Sequence, residues 1–318
     1  VIARAPGKVV LSGAYAVLEG APGIVAAVDR YATANGAEPA GFVTPEVAAA
    51  LVARGIAPER APRFDAEPLR AEGKKLGLGS SAAILLASLA ALEAPAAPNC
   101  ALPDAELADR LYLPALHAHR RAQGGGSGID VAASAYGGVL AVRLAQDGRL
   151  DVTRAALPSG AHLEIWAAGE PASTSQFLAK VRELAARDGE RHRRLLEAQG
   201  AAAEEAAQAL VVEALNAAQA AHATQRFLAA LARQHAVLLE LGDAAGIPIV
   251  TPQVAALHGL AQASGAVVLP SGAGGGDIAL YAGPAAPTRE LVRQAGERGY
   301  TPLSVRLGAR GVHHAALP

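Results

Sequence analysis

Lys75-Leu76-Gly77-Leu78-Gly79-Ser80-Ser81-Ala82-Ala83 decides how this chain is read. Its two glycines let a main chain approach a ligand closely. Its two serines offer hydroxyls to phosphate oxygens or to a cation. The alanine- and leucine-rich run 81–93 that follows contains no helix breaker. The pattern predicts a turn into a helix, with N–H groups presented at the positive helix end that favours phosphate. A tight turn closed by a serine N-cap would use the same residues, so the stretch alone leaves both readings open.

Two further glycine-rich stretches shift the balance. Pro6-Gly7-Lys8-Val9-Val10-Leu11-Ser12-Gly13 lies near one end of the chain. Pro270-Ser271-Gly272-Ala273-Gly274-Gly275-Gly276-Asp277 lies near the other, between Val267-Val268-Leu269 and Ile278-Ala279-Leu280-Tyr281, which read as buried strands. Glycine in such settings adds backbone entropy to the unfolded chain and buries no side chain, so a bound ligand is the economical explanation. Neither GxxxxGK[ST] nor a GxGxxG with a later acidic residue occurs in a strand-turn-helix context, which sets aside the two commonest nucleotide motifs.

These three stretches, in this order, resemble the GHMP kinase superfamily. Ala5 to Gly20 (APGKVVLSGAYAVLEG) is similar to its first motif, KLGLGSSAA to its second and LPSGAGGGD to its third. The resemblance implies an α+β protein of two domains with ATP bound in the cleft between them, and Mg²⁺ as cofactor. It implies that Gly77, Leu78, Gly79, Ser80, Ser81 and Ala82 cradle the phosphates, with Ser80 and Ser81 as candidate Mg²⁺ ligands. Asp130, in Gly124-Gly125-Gly126-Ser127-Gly128-Ile129-Asp130, matches the family's catalytic aspartate; N-capping is the competing reading of an acid at that position. Phosphoryl transfer needs an oriented acceptor and spread charge, and Asp130 would accept the acceptor's proton or orient an oxygen already anionic. Lys8 is one of only four lysines among 28 basic residues. It matches a family lysine that stabilises the transferring phosphoryl group.

Finer details resemble the phosphomevalonate kinases. Ala118-His119-Arg120-Arg121-Ala122-Gln123-Gly124 is similar to their AHxxAQG, Gly169 to Ser175 to their GxxASTS, and Ile247-Pro248-Ile249-Val250-Thr251-Pro252 to their GIxIETP. Mevalonate kinases carry a metal-binding glutamate where this chain has His119. The implied reaction is ATP plus (R)-5-phosphomevalonate giving 5-diphosphomevalonate and ADP. The implied acceptor contacts are Arg120, Arg121, Ser127, Gly128, Ser173, Thr174, Ser271, Gly272, Ala273 and Gly274. Lys75 and Lys180 are further candidate cations for an acceptor phosphate. A mevalonate or sugar kinase, or a catalytically silent ATP-binding regulator, stays open as an alternative. Ala14 stands where many relatives have Glu, and Leu269 where a Lys is usual. Losing that positive charge is worth about 1 kcal/mol, the size of one charge-assisted hydrogen bond.

Composition fits this picture. With 318 residues and 52% hydrophobic content, the chain has material for two cores. The expected division is 1–157 and 158–318, at a join (148–160) rich in Gly, Pro, Asp and Ser. A net charge of −1 argues against a nucleic-acid partner. No stretch suits a membrane span, and no basic-then-apolar segment begins at Val1, so the expectation is a cytoplasmic monomer or homodimer acting on a small molecule. Cys100 is the sole cysteine, which excludes an intrachain disulfide. Helices are expected over 45–54 and 175–187, and one or two long helices over 201–241, ending at Gly242. The remainder of 38–70 reads as loop.

Overall fold

The computed structural model describes residues 1–71, 73–93, 103–168, 174–210 and 216–315. Cys100 and Ser173 lie outside the described residues. The strands are β1 (Ile2–Ser12), β2 (Pro22–Pro39), β3 (Pro62–Asp65), β4 (Arg70–Ala71), β5 (Lys74–Lys75), β6 (Val139–Leu144), β7 (Leu150–Ala155), β8 (His162–Ala168), β9 (Val267–Pro270), β10 (Ile278–Gly283), β11 (Tyr300–Leu303) and β12 (His313–Ala315). The helices are α1 (Pro45–Ala53), α2 (Ser80–Leu92), α3 (Asp104–Gln123), α4 (Ile129–Tyr136), α5 (Thr174–Arg187), α6 (Gly189–Gln208), α7 (Ala217–Ala245), α8 (Pro252–Gln262) and α9 (Arg289–Glu297). One sheet runs β12-β1-β2-β6-β7 with β3 paired to β2; a second runs β11-β8-β10-β9. The class is α+β.

The chain forms two compact units, Val1–Val9 with Val25–Leu140 and Val305–Pro318, and Val10–Ile24 with Ala141–Ser304. The sequence reading placed a single division near residue 157. Three of the four actual crossings fall inside β1, β2 and β6, apolar strands that carry no compositional break.

In the first unit, α2 has no polar face: its residues from Ala82 to Ala91 are buried all round. Alanines between Ile84, Leu85, Leu86 and Leu89 keep the helix thin enough to pack against α1, α3, α4 and β3. Each leucine so buried contributes about 2 kcal/mol. Helix α3 is amphipathic, with Leu107, Ala108, Leu111, Tyr112, Ala115, Leu116 and His119 buried at helical spacing. Its apolar stripe therefore ends on an imidazole.

In the second unit, β8 pairs antiparallel with β10 in the register Trp166 to Ala279 and Glu164 to Tyr281. The Trp166 ring stacks on Tyr281 with centroids 5.7 Å apart. Helix α7 starts at a capping box, with Asn216 and Gln219 each bonding the other's backbone N–H.

Several expected elements take different bounds. Residues 38–70 hold β3, which pairs with β2 from Thr33 to Pro39, as well as the expected short helix. The glycine-rich join contains β7. Gly242, expected to stop a helix, is buried inside α7, and Gly246 at φ +69° closes that helix instead. The one or two helices expected over 201–241 are α6 and α7, the first beginning upstream at Gly189 and the second running on to Ala245.

His235 on α7 and His258 on α8 stack with ring centroids 3.6 Å apart. His235 Nδ1 lies 2.8 Å from the Val268 carbonyl, so it donates; His258 Nδ1 accepts the Val268 N–H at 3.3 Å. The pair thus grips both main-chain groups of one β9 residue. Burial, then the neighbouring ring, lowers His235 to about 4, and burial lowers His258 as well. Both are neutral in the fold, whereas the unfolded chain protonates them near their ordinary value. Stability is therefore fully present above about pH 6.5 and falls as the pH drops towards 4, by on the order of 2 kcal/mol. His235→Asn with His258→Asn keeps one donor and one acceptor but cannot titrate. Urea unfolding at pH 7 and 4.5 should give a shallower loss for this double variant than for the wild type; parallel losses would contradict the account.

Candidate active site

The second glycine stretch leads into α2. The helix begins at Ser80, and its N-cap is Gly79 in the left-handed region at φ +74°, with no side-chain cap. The serine-capped turn considered from sequence is therefore not what forms, and the first N–H groups of α2 have no side-chain acceptor. Lys8, on β1, reaches this turn twice. Its backbone N–H donates to the Leu78 carbonyl at 2.8 Å, and its Nζ donates to the Gly77 carbonyl at 3.3 Å. Its aliphatic stem lies so close to Gly79 that a Cβ there would stand 2.9 Å from both Cγ and Cε. Lys8 is half-buried and its backbone N–H is taken by the Leu78 carbonyl, so it is not the solvated lysine of an edge strand.

Gly128 plays a similar part at the start of α4. Gly128, at φ +82°, is the N-cap, and a Cβ on it would run into Leu116. Asp130 is the second residue of α4 rather than its cap. Its Oδ1 accepts its neighbour's N–H, from Val131, at 2.9 Å, and its Oδ2 lies 3.2 Å from His119 Nε2. The same His119 nitrogen is 3.4 Å from Ser81 Oγ. Lys8, Gly77, Gly79, Ser81, His119 and Asp130 are thus linked by direct contact or charge.

Burial pushes the Asp130 carboxyl up. The His119 charge and hydrogen bond, then Lys8 and the Val131 N–H, outweigh it and hold the group well below the usual carboxylate range. Burial correspondingly pushes His119 down, and Asp130, with a further contribution from Glu46, more than reverses this. Glu46 is itself buried on α1 and takes the Gln123 side-chain amide at 2.5 Å.

Other expected site residues have defined partners. Arg120 donates through Nε to the Gly126 carbonyl at 2.9 Å and through a terminal nitrogen to the Ser127 carbonyl at 2.8 Å, shaping the loop before Asp130. Ser127 Oγ accepts the Ile129 N–H at 3.4 Å. Arg121, Lys75 and Thr174 are exposed, and Lys180 pairs with Glu183 at 2.7 Å.

In the second unit, Ser271 Oγ accepts the Val10 N–H at 3.1 Å and donates to the Val10 carbonyl at 3.0 Å. Its hydroxyl is spent on β1. The Ala273 carbonyl accepts Tyr15 Oη–H at 2.6 Å, and the Gly275 N–H donates to the Ile249 carbonyl at 3.1 Å. Gly272 and Gly274 are left-handed, at φ +65° and +83°. This loop's contacts are those of a turn fastened to its own unit.

Among the described residues no group of three or more His, Cys, Asp or Glu side chains is placed to hold a metal ion. No helix among them is long and apolar enough to cross a membrane.

Sequence reasoning did not give His119 a role. The available signal was its place in the apolar row of α3, eleven residues before Asp130, where a hydrophobic side chain would otherwise be expected.

Gly79→Ala should both strain the left-handed turn and displace the Lys8 stem. The expected cost is about 1–2 kcal/mol, or roughly 2–3 °C in Tm, with weaker nucleotide binding. Scanning calorimetry and titration with a fluorescent ATP analogue check this; an unchanged Tm and affinity would contradict it.

Comparison with known proteins places this geometry. Residues 71–138 match the family described as GHMP kinases N terminal domain. The chain is 33% identical over 268 residues to a phosphomevalonate kinase of Streptomyces sp. (strain CL190), covering 77% of this chain and 67% of that protein. Its fold is similar to the Lin0012 protein from Listeria innocua, with a TM-score of 0.78, 22% identity and 99% of each chain covered. It is also similar to Streptococcus pneumoniae phosphomevalonate kinase, solved in complex with phosphomevalonate and AMPPNP, with a TM-score of 0.72, 19% identity, and 96% of this chain and 99% of that one covered. The α2 turn and Asp130 both fall within the matched segment, and the chain belongs to the GHMP kinase family.

Proposed function

We propose that this chain transfers the γ-phosphoryl group of ATP to (R)-5-phosphomevalonate, giving 5-diphosphomevalonate and ADP. The observation that carries the reading is that Lys8, held to the turn before the uncapped start of α2, brings its charge to bear on Asp130. The 33% identity to a phosphomevalonate kinase supports the choice of acceptor.

In this reading the N–H groups of Gly77, Leu78, Gly79, Ser80, Ser81 and Ala82 bind the ATP phosphates at a positive helix end. The uncapped helix start and two adjacent hydroxyls fit a phosphate accompanied by a cation, with Ser80 and Ser81 holding Mg²⁺. Bound Mg²⁺ supplies positive charge against the phosphate oxygens. Lys8 faces the transferring group and offsets the charge that gathers there. Asp130 orients the acceptor oxygen. A carboxyl held so acidic is a weak proton acceptor, which suits an acceptor that is already an anionic phosphate better than a neutral alcohol. Ser127, Gly128 and Arg121 line the acceptor side, and Arg120 acts by shaping the loop that ends at Gly128. Ser271 is left with the structural role its hydrogen bonds give it.

A second reading, a kinase for an uncharged alcohol such as mevalonate or a sugar, is favoured by one observation. Of the cations suggested for an acceptor phosphate, Arg120 is engaged with two carbonyls and Lys180 with Glu183.

An ADP-release assay against phosphomevalonate, mevalonate, galactose and homoserine separates the two readings: turnover with phosphomevalonate alone is expected, and turnover with another acceptor only would discard that substrate. Asp130→Asn, which removes the charge that orients the acceptor oxygen, should lower kcat roughly a hundredfold or more while ATP still binds. Unchanged kcat would remove Asp130 from the reaction.

A further inference from the structure

His119 is the member of the Lys8–Asp130 cluster to which the proposed reaction assigns no task. It is buried, with 7% of its surface exposed, at the end of the apolar stripe of α3. Its Nε2 lies within reach of two side chains from two other helices, Asp130 Oδ2 on α4 at 3.2 Å and Ser81 Oγ in the first turn of α2 at 3.4 Å. Asp130 Oδ1 is already held by the Val131 N–H, and the ion pair of Oδ2 with the imidazole at 3.2 Å is a second point on the carboxylate. With one point alone, the carboxylate is free to turn about its last torsion, which is broad and has no strongly preferred staggered well.

We propose that His119 is a positioning residue: through one nitrogen it fixes the orientation of the Asp130 carboxylate and keeps it in register with Ser81 at the start of the phosphate-binding helix. The role rests on the kinase reading above, because Asp130 and Ser81 matter together only if an acceptor and a nucleotide phosphate meet between them. Errors of about 1 Å in such placement cost on the order of a hundredfold in rate. The contribution of His119 should therefore appear in kcat and not in binding. An interaction realised only as the reaction proceeds lowers kcat and kcat/KM together, whereas one that merely binds raises KM.

The test compares the full chain as wild type, His119→Ala and His119→Gln, with ATP, Mg²⁺ and phosphomevalonate. The glutamine carboxamide can present an N–H near the place of Nε2. His119→Ala should lose about ten- to a hundredfold in kcat, with both KM values and the affinity for a fluorescent ATP analogue within about threefold of wild type. His119→Gln should recover most of the loss. A kcat within twofold of wild type in His119→Ala, or a rise in KM alone, would overturn the proposal. So would a folded His119→Gln, normal in nucleotide affinity, that is as slow as the alanine variant, since the imidazole would then act otherwise than by position. Crystal structures of the two variants decide the same point without turnover. Several Asp130 orientations in His119→Ala and one in His119→Gln support it; a single unchanged orientation in both overturns it. Wild-type protein silent with every acceptor would remove the kinase reading and leave this second arm standing.

Discussion

The stem of Lys8 lying across Gly79 is the contact on which the site depends. A residue with a Cβ at position 79 would need the space that Cγ and Cε of Lys8 occupy, and it would need a left-handed backbone that side chains disfavour. The same contact fixes two things at once. It seats β1 against the turn before α2 through the Lys8 N–H and Nζ, and it leaves the ammonium where its charge reaches Asp130. A glycine that looks like a concession to turn geometry is therefore also the floor on which the lysine rests.

Charge balance explains how an ionised carboxylate persists in this setting. Desolvation alone would favour the protonated acid; Asp130 stays ionised because His119, Lys8 and a backbone N–H act together against it. The arrangement is reciprocal, since burial pushes the His119 imidazole down while Asp130, with Glu46 adding to it, raises it above its ordinary value. Removing any one group leaves the others less compensated, so the cluster should respond to substitution as a unit rather than residue by residue.

Much of this was legible in the sequence, and the exceptions have physical causes. Glycine stretches flanked by apolar runs located the turns before α2 and β10, and the buried strands β9 and β10, because glycine and β-branched residues mark such places directly. Asp130 and Lys8 stand out through the resemblance to the family's motifs, and the fold brings the charge of one to bear on the other. The role of His119 was not, because its partners are 11 and 38 positions away along the chain and only helix packing brings them to one nitrogen. Arg120 and Ser271 were read as substrate contacts, yet their polar atoms bond loop and strand carbonyls; a sequence shows that a donor exists, not what it bonds. Strand β3, with two prolines' worth of turn signal around it, and β7, inside a glycine-rich join, were hidden by local composition that tertiary pairing overrides.

Phosphorus NMR of the wild-type chain incubated with ATP, Mg²⁺ and (R)-5-phosphomevalonate tests the central claim most directly, because it reports the product rather than the consumption of ATP. The account predicts that the monophosphate signal of the acceptor gives way to the coupled pair of a new diphosphate, in step with the appearance of ADP. An unchanged acceptor signal, or ADP accompanied only by inorganic phosphate, would contradict it.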